Sequence, residues 1–84
     1  MAKSIFDERY RSLIRALKIA RKGAYMKQQQ VADALGKPQS YVAKVESLER
    51  RLDVIEFLDY ARCIDWDPFP TLREVGYVAV NDAE

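Results

Sequence analysis

Apolar residues recur at every third or fourth position along most of this chain. That spacing is typical of amphipathic α-helices, whereas a strand would alternate apolar and polar residues. The pattern predicts an all-α fold of five helices, at about 5–22, 28–35, 39–46, 54–64 and 68–75. We expect the helices to form one compact domain over residues 4–75. A short C-terminal tail over 76–84 would then pack back, contact a partner or be mobile.

Polar residues and glycine mark the predicted helix ends. Ser4 with Asp7 resembles the paired caps of a helix start, and Asp53 with Glu56 forms a second such pair. Gly76 is predicted to end the fifth helix, because glycine is common just past a helix C-terminus. On the fourth helix, the predicted buried stripe consists of Val54, Phe57, Leu58, Ala61 and Ile64.

The rest of the chain is organised around residues 28–47, which read as two short helices joined by a tight turn. Gly36 can take the positive φ that ends a helix, and Pro38 fits the first turn of the next one. Two short helices with such a turn are typical of a helix-turn-helix unit, whose second helix enters the major groove of DNA.

The outward face of the second helix of this unit is polar but carries a single charge. A Gln amide can pair with N6 and N7 of adenine, and a Ser hydroxyl can serve either kind of base. Ala43 is small and would let the helix approach the base edges. We therefore predict that Gln39, Ser40 and Lys44 read bases. The alternative is an ordinary surface helix of an α-helical domain.

The charges are segregated along the chain although the formal net charge is only +1. Residues 1–51 hold 12 Lys or Arg against 5 Asp or Glu, whereas residues 52–84 hold 2 against 8. Binding to phosphates requires local positive charge and not a basic average. The segregation favours an anionic partner for the first half, although the two halves could also simply attract each other.

Six residues around the unit are predicted to contact DNA phosphates. Arg50 and Arg51 follow the reading helix, where a loop would cross the phosphate backbone, and one of them could instead pair with a carboxylate. Gln28 lies in the first turn of its helix, where its amide either bonds a phosphate and the neighbouring backbone or stays exposed and idle. The other members of the set are Lys27, Lys37 and Tyr41.

Composition excludes several classes of protein. Cys63 is the only cysteine and there is no His, so an internal disulfide is impossible and a zinc site is not expected. No apolar run approaches membrane-spanning length and no signal peptide is apparent, which predicts a cytoplasmic protein with no membrane partner. The chain has neither a Gly-rich phosphate loop nor a nucleophile–base pair, so we expect neither an enzyme nor a cofactor.

Many residues match a known pattern at fixed spacing, namely Leu17, Arg21, Gln28, Ala32, Leu35, Gly36, 39–42, 44–46, 50–54, 56–58, Ala61, Arg62, Asp67 and Pro68. In these positions the chain resembles the phage-repressor and Cro-type helix-turn-helix family, often called XRE-like, over about residues 10–75. The resemblance implies a compact, five-helix, lambda-repressor-like domain whose third helix reads DNA. It also implies that Gln28 bridges a phosphate and the third helix. In the same way it implies that Arg21 and Glu46 form an ion pair that aims the reading helix.

The chain departs from the family pattern at three positions. Lys27 stands where the family usually has a Ser or Thr cap, and Pro38 replaces a common Ser or Thr at the start of the third helix. Leu48 replaces a frequent Gly after that helix, so we expect a loop of different shape. This last change leaves the placement of Arg50 and Arg51 open.

Three functions are compatible with these features. The first is a sequence-specific DNA-binding regulator, acting as a homodimeric repressor on a short inverted repeat of double-stranded DNA. The second is a DNA-binding antitoxin whose acidic second half binds a toxin protein. The third is a protein-interaction module that uses the same fold without DNA. Segregated charge and the Gln/Ser face favour the DNA-binding functions.

Overall fold

A computed structural model describes the backbone of residues 7–83 and the side chains of residues 7–76. It confirms the prediction of five helices. They are α1 (Glu8–Gly23), α2 (Gln28–Leu35), α3 (Gln39–Glu46), α4 (Val54–Cys63) and α5 (Phe69–Ala83). Ser4 lies outside the described residues. The N-cap of α1 is Asp7, whose carboxylate accepts a hydrogen bond of 2.8 Å from the backbone N–H of Arg9.

The turn between α2 and α3 has the conformation that its residues favour. Gly36 adopts a left-handed conformation with φ of 70°, and the backbone N–H of Lys37 donates to the carbonyl of Ala32 at 2.9 Å. Pro38 has φ of −71° and caps α3 without occupying its first turn. Because Pro38 has no backbone N–H, it adds no unpaired donor at the start of the helix. This geometry fixes where α3 begins and therefore which of its residues face outward.

The core lies where α1 packs on α3 and α5, and where α2 packs on α3 and α4. Residues from all of the first four helices fill it, together with Leu52 from the loop before α4. The members with no exposed surface are Leu17, Val31, Ala32, Val42, Val45 and Tyr60. Trp66 packs edge-on against Phe57, with ring centroids 6.0 Å apart. The core thus holds α3 by its Val42–Val45 side and leaves the opposite side exposed.

The predicted buried stripe of α4 is wrong at its first member. Val54 is 72% exposed, whereas Tyr60, which the predicted stripe omitted, is completely buried. The first turn of α4 projects beyond the core, and Leu52 fills that end instead. Val54 lines an apolar groove of about 230 Å³ that Phe69, itself 56% exposed, also borders.

The predicted end of α5 at Gly76 is also wrong. The helix continues through Gly76 to Ala83, so most of the expected tail is helical backbone. A glycine inside a helix costs only about 1 kcal/mol relative to alanine. No proline follows Gly76 to stop the helix. Glycine alone is therefore a weak stop signal at this position.

Candidate nucleic-acid interface

The outward side of α3 carries the residues predicted to read bases. Gln39, Ser40 and Lys44 are all exposed, and Ala43 between them is half-buried. Ser47, just past the helix, is exposed as well, but its hydroxyl donates to Glu49 at 2.8 Å. The side chains of Gln39, Ser40 and Lys44 therefore project from one face with nothing large between them.

A chain of side-chain hydrogen bonds connects the start of α3 to its end. The Nε2 of Gln39 donates to Oε1 of Gln28 at 2.7 Å. The Nε2 of Gln28 in turn donates to Oε1 of Glu46 at 3.1 Å. We call Gln39, Gln28 and Glu46 the amide relay. Gln28 thus contacts both ends of α3 through side chains, and it is neither idle nor bonded to the neighbouring backbone.

Glu46 is buried and forms an ion pair with Arg21 of α1. Arg21 donates from Nε to Oε2 at 2.6 Å and from Nη2 to Oε1 at 2.8 Å. Its Nη1 donates to the carbonyl of Met26 at 2.7 Å, in the corner between α1 and α2. A bidentate pair of this kind fixes the relative orientation of the groups that it joins. The pair therefore ties the end of α3 to α1 and to the start of α2.

The hydroxyl of Tyr60 in α4 donates to Oε2 of Glu46. Burial alone would raise the pKa of Glu46, but hydrogen bonds from Arg21, Tyr60 and Gln28 outweigh burial and hold that pKa below its ordinary value. Burial, followed by the hydrogen bond to Glu46, raises the pKa of the Tyr60 hydroxyl. Glu46 is therefore a carboxylate and Tyr60 a donor at neutral pH, which keeps the amide relay anchored to an acceptor.

The two arginines after α3 differ in their surroundings. Arg50 pairs with Glu56, with Nη2 to Oε2 at 3.1 Å, and its Nη1 donates to the carbonyl of Arg51 at 2.7 Å. The same hydrogen bond from Arg50 lowers the pKa of Glu56. Arg51 is exposed, and no side-chain partner of it is described among residues 7–76. Of the two, Arg51 is the exposed arginine that no carboxylate of the described residues engages.

Tyr41 is half-buried and lies between two cations. The guanidinium of Arg50 stands 4.7 Å from the centre of its ring, and Nζ of Lys37 stands 5.2 Å from it. Burial is the main cause that raises the pKa of the Tyr41 hydroxyl. The ring therefore holds Lys37 and Arg50 near each other beside the start of α3, where each gains a cation–π contact.

The loop after α3 takes the shape that glycine would favour, although its residue is leucine. Leu48 has φ of 68°, in the left-handed region. The backbone N–H of Glu49 and that of Arg50 both donate to the carbonyl of Lys44, at 2.8 and 3.2 Å. The left-handed region is costly for a residue with a Cβ. The half-buried Leu48 side chain packs against the core, which offsets part of that cost.

At the start of α2, Lys27 is exposed and caps the helix without a side-chain bond. The reciprocal bond of a capping box is present, because Oε1 of Gln30 accepts from the backbone N–H of Lys27 at 2.8 Å. Helix N-termini attract anions through their free N–H groups and their dipole. Lys27 and the first turn of α2 thus combine a cation with unpaired backbone donors.

Two partners in this network were absent from the predicted site. Tyr60 follows Phe57 by three residues and precedes Ile64 by four, so helical spacing alone could have placed it in the buried stripe. Glu56 was predicted only as a cap. It does accept from the backbone N–H of Asp53 at 3.0 Å, and it also binds Arg50. The sequence analysis left room for a carboxylate beside Arg50 or Arg51, but nothing in the sequence pointed to Glu56.

These features define the class: an all-α domain with a helix-turn-helix unit whose second helix, α3, has an exposed polar face. A family model described as helix-turn-helix matches residues 17–65, more than half of the chain. The chain is also similar to the solved structure of an XRE-family like protein from Pseudomonas syringae pv. tomato str. DC3000. Identity is 45%, the TM-score is 0.81, and the match covers 90% of this chain and 93% of that one. No curated protein matches.

The chain therefore belongs to the XRE family of helix-turn-helix proteins, a family of DNA-binding regulators. None of the helices within the described residues is long and apolar enough to cross a membrane.

Proposed function

We propose that this protein is a sequence-specific transcriptional regulator that binds double-stranded DNA through α3, as a homodimeric repressor on a short inverted repeat. The observation that carries the proposal is the orientation of the Gln39 amide. Gln39 is exposed at the first position of α3 and is held by Gln28, which Glu46 anchors in turn. An anchored amide on an exposed reading face is a device for recognising a base edge.

The amide relay also indicates which base Gln39 would favour. Because Gln28 accepts one hydrogen from Nε2 of Gln39, the second Nε2 hydrogen and the Oε1 atom of Gln39 remain to face the groove. Adenine presents an acceptor at N7 and a donor at N6 in the major groove, which match that donor and acceptor. We therefore expect an A·T pair opposite Gln39. Ser40 and Lys44 would read the neighbouring positions.

Cations around α3 support phosphate binding that does not depend on sequence. Lys27 and Lys37 are exposed near the N-terminal ends of α2 and α3, and Arg51 is exposed beyond the C-terminal end of α3. Tyr41 and Arg50 would contribute beside them, with Arg50 dividing its interactions between phosphate and Glu56. Binding through such contacts weakens steeply with salt.

A homodimer is proposed because one eight-residue reading helix covers only a few base pairs. Two copies related by a two-fold axis would read two half-sites about one helical turn apart. That arrangement gives the discrimination that a regulator requires against competing genomic sites.

DNA selection from a random library with the purified protein tests this function. We expect an enriched inverted repeat that contains an A·T pair opposite Gln39. The Gln39→Ala variant should lose the base preference at that position. Arg51→Ala should instead weaken binding to all sequences alike, and it should reduce the slope of log affinity against log salt by about 1. Retained base preference in Gln39→Ala would refute the assignment of that residue. Absence of any salt-sensitive DNA binding would refute the DNA-binding function and favour a protein-interaction role.

A further inference from the structure

The outer face of α1 carries four exposed cations that lie outside the helix-turn-helix unit. Arg11, Arg15, Lys18 and Lys22 follow one another at steps of four, three and four residues, so they form one row on the helix. We call this row the α1 stripe, and it extends over about 16 Å of helix. Within residues 7–76, no acidic side chain pairs with any of its members.

The α1 stripe borders the C-terminal end of α3. Arg11, Arg15 and Lys18 line a shallow cleft of about 180 Å³ together with Glu46 and Leu48, the last residue of α3 and a residue of the following loop. The ion pair and the Tyr60 hydroxyl already neutralise and bond the carboxylate of Glu46. The cleft is therefore cationic at its rim, and its one carboxylate is engaged elsewhere.

The size of α3 explains why a cationic surface at this end matters. Eight helical residues extend over about 12 Å, and the major groove is about 12 Å wide, so phosphate backbones pass both ends of the helix. At the N-terminal end, Lys27 and Lys37 are available. Beyond the C-terminal end, the guanidinium of Arg50 turns back to the Tyr41 ring and binds Glu56, which leaves Arg51 and the α1 stripe for that end.

We propose that the α1 stripe is a second phosphate-binding surface, in which Arg11, Arg15 and Lys18 contact the DNA strand that passes the C-terminal end of α3. The inference rests on the proposed function and adds to it an element outside the helix-turn-helix unit. Contacts at both ends of the reading helix would set its depth and tilt in the groove. Phosphate contacts of this kind position the protein and carry no base preference.

The double variant Arg15→Gln/Lys18→Gln tests the proposal. We expect the slope of log affinity against log salt to fall by about 2, since each phosphate contact contributes about 0.9. Affinity should drop on all sequences, while the base preference at the position read by Gln39 stays unchanged. The matched control is Arg62→Gln/Arg73→Gln, which removes the same charge from exposed positions on α4 and α5. The control should keep the wild-type slope.

The outcomes separate the two proposals. A wild-type protein that binds DNA, with equal slopes in both double variants, would overturn the role of the α1 stripe alone. A wild-type protein without salt-sensitive DNA binding would overturn the proposed function and this inference together. A smaller slope in both double variants alike would also overturn the inference, because it would report the overall field of the protein and no local contact.

Discussion

Glu46 is the residue on which the interior polar contacts converge. Its two carboxylate oxygens accept from Arg21, Gln28 and Tyr60, side chains that belong to three other helices. Removing one partner from a buried ion pair is costly, often about 3 to 5 kcal/mol, because it leaves an uncompensated charge. A single carboxylate thus couples the stability of the fold to the position of the reading face.

Tyr60→Phe isolates one of these contacts without opening a cavity. We expect the free energy of unfolding at pH 7 to fall by about 1.5 to 3 kcal/mol, the range for hydrogen bonds to charged groups. The folded-state pKa of Glu46 lies below its ordinary value of 4.5, so its stabilisation is present above about pH 4.5 and is lost as pH falls through the folded pKa. The variant raises that folded pKa, so its deficit should shrink in acid.

Urea denaturation at several pH values between 3.5 and 7 measures this deficit. Tyr25→Phe is the control, because Tyr25 is 92% exposed and its variant should match the wild type at every pH. A deficit that stays constant across the whole pH range would show that Tyr60 acts through packing and not through Glu46.

At the scale of elements, the turn between α2 and α3 depends on backbone conformation alone. Gly36 has φ of 70°, and a Cβ built on it would meet no atom within 4 Å. Any cost of a side chain there is therefore conformational strain and not steric conflict with a neighbour. Gly23, the last residue of α1, has equally open surroundings but no positive φ.

Gly36→Ala and Gly23→Ala should consequently act in opposite directions. We expect Gly36→Ala to destabilise by about 1 kcal/mol, because strain of about 1 to 2 kcal/mol in the left-handed region exceeds the gain from a stiffer unfolded chain. Gly23→Ala should stabilise by about 0.5 to 1 kcal/mol, since alanine suits a helical position better. The midpoints of urea unfolding measure both. Equal effects of the two substitutions would contradict the argument from φ.

The sequence predicted elements well where local chemistry decided them. Gly36 marked the end of α2 and Pro38 the start of α3 at the predicted residues, because a left-handed glycine and a donor-free proline leave few alternatives. It failed where tertiary packing decided. Val54 fits helical spacing but lies beyond the end of the core, and Gly76 resembles a stop signal in a helix that continues.

The candidate site divides in the same way. The exposure of Gln39, Ser40 and Lys44 follows from the spacing of Val42 and Val45, so a pattern within eight residues was enough to predict it. The sequence left open that one of Arg50 and Arg51 pairs with a carboxylate, and Arg50 does so, but neither the choice of arginine nor its partner was predictable. Both depend on a loop whose shape is set by the positive φ of Leu48 and on a carboxylate in the next helix.

On the scale of the whole molecule, charge and fold divide along the same boundary. The basic residues 1–51 contain α1, α2 and α3, and the acidic residues 52–84 contain α4 and α5. A DNA-bound copy would therefore turn its acidic half away from the phosphates. The negative charge of that half repels DNA phosphates. It therefore disfavours binding of a second duplex there and favours an approach in which the basic half faces the DNA.

The proposed homodimer makes a geometric prediction about its operator. Inserting about five base pairs between the two half-sites would move one of them to the opposite side of the duplex, so we expect affinity to fall to that of a single half-site. Inserting one full helical turn of DNA between the half-sites should restore part of the affinity only if the two copies of the protein can move apart. Titrations in a mobility-shift assay measure these affinities. Equal affinity for every spacing would show that each copy binds independently.

The amide relay has a consequence for how the protein tolerates errors in its operator. Gln28 and Gln39 hold one another before DNA arrives, so less rotamer freedom remains to be lost on binding. A side chain that is held by a neighbour rearranges less readily to suit a different base. A mismatched operator would then confront a fixed donor and acceptor that lack partners, and such unmatched polar groups are expensive. Rigidity of this kind reduces the number of operator variants that the protein still binds. Most single base changes in an operator would then cause a large loss of affinity.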